Sequence, residues 1–257
     1  MKVVILCGGL GTGLREYTEL FPKPLVNIGP MPVLWHVMKI YAHYGFRDFV
    51  LCLGYKGDAI KEYFLNYPWF SNDFTLNLKT LEKSTTAHMP DREDWNVTFV
   101  DTGLKTPTGG RIKKIERYID GDDFFATYAD GVADIDLKAL ADFHRKQGKT
   151  ATLSAVNPFS PFGIIEEKDG IAVSFKEKPR LSGLINGGFF AFNKRIFDYL
   201  DQDSVLEEEP LRGLTEKDEL AVYKHNGFWA CMDTFKDVER LNAMWDSGNT
   251  PWVIWRK

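Results

Sequence analysis

Two aspartates stand where runs of strand character end. Asp130 follows Phe124–Tyr128 and Ala129, and Asp233 follows Phe228–Met232. Ligands of open α/β sheets bind outside the carboxyl ends of strands, so a carboxylate there is well placed for chemistry, although an Asp can equally cap a turn. Two carboxylates brought to about 4 Å repel by roughly 4 kcal/mol at an effective dielectric near 20. A hard divalent cation such as Mg²⁺ removes that repulsion and links the pair to phosphate oxygens. Nothing in the spacing of Asp130 and Asp233 shows that they meet.

The second group is at the start of the chain. Val3-Val4-Ile5-Leu6-Cys7 runs into Gly8-Gly9-Leu10-Gly11-Thr12-Gly13-Leu14-Arg15, and Pro22-Lys23-Pro24 follows. Backbone N–H groups in a glycine-rich turn can converge on an anion, so phosphate is the first expectation. The dinucleotide fingerprint fails because Leu14 holds its last glycine position, and the P-loop fails because Leu14 holds its lysine position. A plain strand–turn with Arg15 and Lys23 solvated explains the glycines equally well.

The elements that must position these residues alternate. Val3–Cys7 reads as a strand buried on both faces. The stretch 32–44 carries Leu34, Val37, Met38 and Tyr41 at helical spacing and ends at Gly45. His36 and His43 on that helix read as packed or surface residues, having no carboxylate or cysteine partner. Strands are expected at Phe49–Leu53, Asn96–Val100, Phe124–Tyr128, Thr150–Val156, Phe189–Phe192, Ala221–Tyr223 and Phe228–Met232. Helices are expected at Asp58–Tyr67, from Thr108, at Asp136–Lys146, Glu207–Leu220 and Phe235–Trp245. This alternation gives an α/β fold with a mostly parallel sheet. Residues 68–96 are irregular, with a strand expected at Thr75–Leu81 and a solvated charge run at Asp91-Arg92-Glu93-Asp94. Asp169-Gly170 is a hairpin turn inside Gly163–Lys178.

At 257 residues the chain suits one large domain, 1–257, and can bury roughly three quarters of its unfolded surface without a staple. A formal net charge of −4 gives no hint of nucleic-acid or membrane binding. No apolar run approaches a membrane span, and the short run before the glycines does not read as a signal peptide. Cys7, Cys52 and Cys231 are odd in number and scattered, as expected of reduced thiols in a cytoplasmic protein.

The pattern G-G-x-G-T-x-L followed by P-K-P resembles the signature of the sugar-1-phosphate nucleotidyltransferases. The resemblance continues through Thr108-Gly109-Gly110-Arg111, Tyr128-Ala129-Asp130-Gly131, Glu177-Lys178-Pro179, Ile185-Asn186-Gly187-Gly188 and Met232-Asp233-Thr234. These blocks span nearly the whole chain and are closest to the glucose-1-phosphate cytidylyltransferase branch. The resemblance implies a Rossmann-like mixed sheet flanked by helices, with residues 1–157 mainly on the nucleotide. A smaller β-rich part, 158–257, would serve the sugar and the contacts of a homo-oligomer. It implies cytidylyl transfer from CTP to glucose 1-phosphate, with Mg²⁺ on Asp130 and Asp233. Leu6, Cys7, Gly8, Gly9, Gly11, Thr12, Gly13, Thr106, Thr108, Gly110 and Arg111 would line the nucleotide site, with Lys23 on its phosphates. Glu177, Lys178, Asn186 and Gly187 would hold the sugar phosphate. Rival readings within the resemblance are a thymidylyl- or uridylyltransferase, or a catalytically silent nucleotide-sugar binder.

Three departures stand out. Gly13 occupies a position where the family signature has Arg, with Arg15 two places later and expected to take over its catalytic charge. Ala129 replaces Gly, and Pro30-Met31 replaces Gly-Lys.

Overall fold

The computed structural model describes residues 1–14, 18–70, 72–84, 93–160 and 162–256. Arg15, Asp91 and Arg92 lie outside the described residues, so the catalytic expectation for Arg15 is carried by no geometry.

A seven-stranded sheet forms the centre. Its strands are β1 (Val3–Leu6), β2 (Asp48–Leu53), β3 (Asn96–Asp101), β4 (Asp123–Tyr128), β6 (Ala151–Val156), β9 (Ile185–Asn193) and β10 (Leu220–His225). A short strand β5 (Gly131–Ala133) follows β4, and β7 (Ile164–Lys168) and β8 (Ile171–Lys176) form a separate hairpin. The order across the sheet is β10-β6-β9-β4-β1-β2-β3. β9 runs antiparallel to both of its neighbours, and the remaining pairs are parallel. The sheet is therefore mixed and mostly parallel, as expected. Strands from both halves of the chain interleave in it.

β1 lies between β2 and β4, with Val3 opposite both Phe49 and Phe125. Its alternate side chains enter two separate cores. Val3 and Ile5 join a cluster with α1 (Val33–His43), α2 (Gly57–Leu65), α4 (Leu137–Gln147) and α6 (Phe235–Asp246). Val4 joins the other, with α3 (Thr108–Lys114) and α5 (Glu209–Glu216). This is why the opening run is apolar throughout rather than alternating. From β1 the chain first builds outward to β2 and β3, then returns to place β4 on β1's other side. The carboxyl ends of β1 and β4 thus open the crevice where strand order reverses, and the glycine loop and Asp130 both emerge there.

His36 is fully buried in the first core. Its Nε2–H donates to the Ile28 carbonyl at 2.9 Å, and Nδ1 accepts from Trp252 Nε1 at 3.4 Å. Trp252 is itself buried, with Trp245 and Trp255 packed on the same cluster, so these tryptophans belong to the core. His43 is exposed.

Two expected elements are corrected. The strand expected at Thr75–Leu81 is only Thr75–Leu76, paired with Lys83–Ser84. Asn77 Oδ1 accepts from the amides of Lys79 and Thr80 and turns the chain there. The helix expected at Glu207–Leu220 spans Glu209–Glu216 and ends before Asp218, whose φ of 56° no helix accommodates, and Leu220 opens β10. The Asp169-Gly170 turn has both residues at positive φ, 54° and 79°, the geometry of a tight two-residue hairpin. Among the described residues no helix is long and apolar enough to cross a membrane.

Candidate active site

Asp130 and Asp233 come together through backbone pairing that connects distant segments. Strand β11 (Trp229–Cys231) pairs antiparallel with β5, setting Cys231 opposite Gly131. The Met232 amide then donates to the Asp130 carbonyl at 3.0 Å. Asp233 sits just before α6, whose N-cap Thr234 accepts from the Asp237 amide while the Asp237 carboxylate accepts from the Thr234 amide. This capping box fixes the angle at which Asp233 leaves its strand.

Lys23 lies between the two carboxylates, with Nζ 2.6 Å from Asp130 Oδ2 and 2.6 Å from Asp233 Oδ1. Pro22 and Pro24 fix the short turn that carries it. Burial opposes the Lys23 ammonium, but the charges and hydrogen bonds of Asp130 and Asp233 outweigh it and raise the group above the ordinary lysine range. Burial likewise opposes the Asp233 carboxylate, and Lys23 again prevails, holding it below the ordinary range. A side-chain cation thus already occupies the position between the carboxylates. Cys231 supplies a third donor atom, all three lying within 4.8 Å of one another, and burial beside Asp130 and Asp233 pushes its thiol well up. The two carboxylates form a hard oxygen pair suited to a divalent cation.

A cavity of about 640 Å³ opens over the glycine loop. It is lined by Leu6, Cys7, Gly8, Gly9, Gly11, Thr12, Gly13, Lys23, Thr106, Thr108 and Arg111, with Tyr128, Asp130, Asp233 and Thr234 at one end. A second cavity of about 330 Å³ is lined by Asn186, Gly187, Gly188, Trp229 and Cys231. Tyr128, Asp130 and Asp233 line both, so the two cavities meet at the carboxylates.

Three expected residues line neither cavity, and a fourth lines one with its donors already spent. Gly110 lines neither cavity; a Cβ there would collide with the Gln202 carbonyl, so the glycine serves close packing of the 202–204 segment on α3. Arg111 lines the first cavity, but its guanidinium is buried and committed to the chain. Nη1 donates to Leu53 O at 3.0 Å and Thr102 Oγ1 at 2.7 Å, and Nη2 to Gly8 O at 2.9 Å. A side chain at Gly8 would strike that guanidinium, so Arg111 acts as a clamp shaping the glycine loop. Glu177 and Lys178 lie exposed after β8, paired with each other at 4.0 Å, and line neither cavity.

Gly13 packs against the backbone of Asp233, and a Cβ on it would collide with the Asp233 carbonyl. The family's arginine therefore does not fit this loop without displacing the Asp233 segment. Tyr128, Trp229 and Cys231 were not anticipated as site residues. Trp229 and Cys231 are spaced by two on β11, so the strand projects both to one side, and Tyr128 ends β4 two residues before Asp130. That periodicity was the available signal.

The family profile described as Nucleotidyl transferase matches residues 2–250, and the chain belongs to that family. The proteins named glucose-1-phosphate cytidylyltransferase from Salmonella typhimurium and Salmonella typhi are each 47% identical to it over 258 residues, covering 99% of this chain and all of theirs. Among solved structures, apo-UDP-glucose pyrophosphorylase superposes with a TM-score of 0.70 at 16% identity, over 97% of this chain and 99% of that one. HddC from Yersinia pseudotuberculosis, complexed with GMP-PN, superposes with a TM-score of 0.68 at 21% identity, covering 95% and 99%. At such identities these two structures share the fold.

Proposed function

We propose that this chain transfers a cytidylyl group from CTP to α-D-glucose 1-phosphate, releasing CDP-glucose and pyrophosphate. The observation that carries this is the meeting of two cavities at Asp130 and Asp233, which Lys23 bridges, so that two anionic substrates would face each other across one cluster. Near-complete alignment at 47% identity with proteins named for that activity supports the choice of nucleotide and sugar.

The larger cavity takes the nucleotide, with the glycine-loop amides toward its phosphates. The smaller takes the hexose, with Asn186, Gly187 and Glu177 assigned to its hydroxyls and Lys178 to the sugar phosphate. Asp130 and Asp233 would hold Mg²⁺, which offsets the charge of the phosphate oxygens when bound. Lys23 would then give up its bridge between the carboxylates, since an ammonium and a divalent cation repel each other at one carboxylate pair. The freed Lys23 ammonium then serves the phosphates, and Arg15 is proposed to aid it. The protein's chief contribution is alignment and charge compensation, without a covalent nucleophile.

Cytosine presents an N4 donor where uracil presents an O4 acceptor, so a buried group matched to one is left unpaired by the other. Because the Arg111 hydrogens are largely committed, the backbone around Leu6-Cys7-Gly8 and at Thr108 is assigned to the base. Homo-oligomer formation and a cytoplasmic location are part of the same proposal.

Incubating the protein with CTP, glucose 1-phosphate and Mg²⁺, and identifying products by mass and phosphorus resonance, tests the reading. CDP-glucose and pyrophosphate in equal amounts are expected. Absence of pyrophosphate with every nucleoside triphosphate and hexose 1-phosphate tried would overturn it.

A further inference from the structure

The segment between β9 and α5 carries a carboxylate, Glu207, that lines neither cavity yet touches a residue of each. Its Oε2 accepts from Thr108 Oγ1 at 2.6 Å, and Thr108 lines the larger cavity. Its Oε1 accepts from the hydroxyl of Tyr128, which lines both. Glu207 forms no ion pair among the described residues. Two hydroxyl hydrogens thus take the place of a cation.

Hydrogen-bond direction makes this arrangement informative. Thr108 Oγ1 donates to Glu207 and accepts from the Leu206 amide at 2.9 Å, leaving only lone-pair capacity toward the cavity. The Tyr128 hydroxyl donates to Glu207 and accepts from Asn186 Nδ2 at 3.3 Å. Asn186 Oδ1 in turn accepts from the Gly188 amide at 2.9 Å, so both ends of the Asn186 amide are oriented. Burial, then the adjacent Glu207 charge, raises the Tyr128 phenol and keeps its proton in place. Without a strong acceptor at position 207, both hydroxyls could rotate their protons into the cavities.

The backbone is built to deliver this carboxylate. The Gly110 amide donates to Ser204 O at 3.0 Å, and a Cβ on Gly109 would lie 2.7 Å from that same oxygen. The Thr-Gly-Gly-Arg block therefore admits the 202–207 segment against α3. Its glycines serve Glu207 rather than a ligand directly.

We propose that Glu207 is a positioning residue shared by both subsites, setting Thr108 and Tyr128 as hydrogen-bond acceptors toward donor groups of the nucleotide and hydroxyls of the hexose respectively. The inference rests on the assignment of the two cavities above. It adds Glu207, through Thr108 and Tyr128, to the polar groups that link the two cavities.

Steady-state kinetics on Glu207→Gln, Tyr128→Phe, Thr108→Val and the double variant Glu207→Gln/Tyr128→Phe test it, with thermal unfolding confirming that each folds. Thr108→Val should raise the KM for CTP about tenfold and leave that for glucose 1-phosphate unchanged within about twofold, and Tyr128→Phe should raise the KM for glucose 1-phosphate about tenfold. Glu207→Gln should raise both. In the Tyr128→Phe background it should add less than about twofold to the glucose 1-phosphate KM, because its route to that subsite is already gone. Multiplying effects, or a Glu207→Gln variant that moves one KM or neither, would overturn the inference. A wild-type chain inactive on every substrate pair would instead overturn the functional reading and this inference with it.

Discussion

At the scale of single residues, Lys23 carries the most consequence. It bridges Asp130 and Asp233 and neutralises a pair that would otherwise repel, and so would compete with a cation at the proposed Mg²⁺ site. Lys23→Met should therefore increase Mn²⁺ affinity in the absence of nucleotide by about tenfold or more, the scale of a charged hydrogen bond, while abolishing most turnover. Asp130→Asn should weaken both Mn²⁺ binding and turnover. Electron paramagnetic resonance of free Mn²⁺ reads the first quantity without reference to activity. Equal Mn²⁺ affinity in wild type and Lys23→Met would mean that the lysine does not hold the site. Gly13 is the other informative residue: its missing side chain leaves room for the Asp233 carbonyl, so the departure from the family signature accompanies close packing of the glycine loop on the Asp233 segment.

At the scale of elements, the site depends on how short segments end. Thr234 caps α6 directly after Asp233, and the reciprocal bond from Asp237 makes the cap rigid. Thr234→Ala should lower stability by about 1 kcal/mol, the usual cost of losing such a cap. It should also lower kcat through looser placement of Asp233, and chemical denaturation alongside turnover separates the two effects. An unchanged kcat would show that β11 alone places the carboxylate. The elements differ in how legible they were in the sequence. β1, α1 and the Asp169-Gly170 hairpin declare themselves through apolar runs, 3.6-residue periodicity and turn chemistry. The pairing of β11 with β5, which joins the aspartates, has no local signature because it links segments about a hundred residues apart. Arg111 shows the converse difficulty: the resemblance placed it in the nucleotide site, yet its donors are spent on the Leu53 and Gly8 carbonyls and the Thr102 hydroxyl. The placing of Glu177 and Lys178 outside both cavities was hidden for a related reason, since an exposed hairpin carries little pattern to fix where its ends point.

At the scale of the whole molecule, two cores on either side of one sheet hold the crevice open, and the larger depends on a neutral histidine. Burial lowers the His36 pKa from 6.5 to about 4, with the Ile28 hydrogen bond only partly offsetting it. The unfolded chain takes up a proton near pH 6.5 that the folded chain refuses until about pH 4, so stability is full above that range and falls as pH drops through it. The loss attributable to His36 is on the order of 3 kcal/mol. His36→Gln should flatten the pH dependence of the urea midpoint between those limits, and an equally steep decline in the variant would assign it to other groups.

The nucleotide preference tests the central claim most directly, since the phosphate apparatus would serve any pyrimidine nucleotide and only the base edge separates CTP from UTP. With glucose 1-phosphate saturating, kcat/KM measured by pyrophosphate release should favour CTP over UTP and dTTP by about a hundredfold or more, the scale of one buried mismatched hydrogen bond. Equal kcat/KM for CTP and UTP would contradict the cytidylyl assignment.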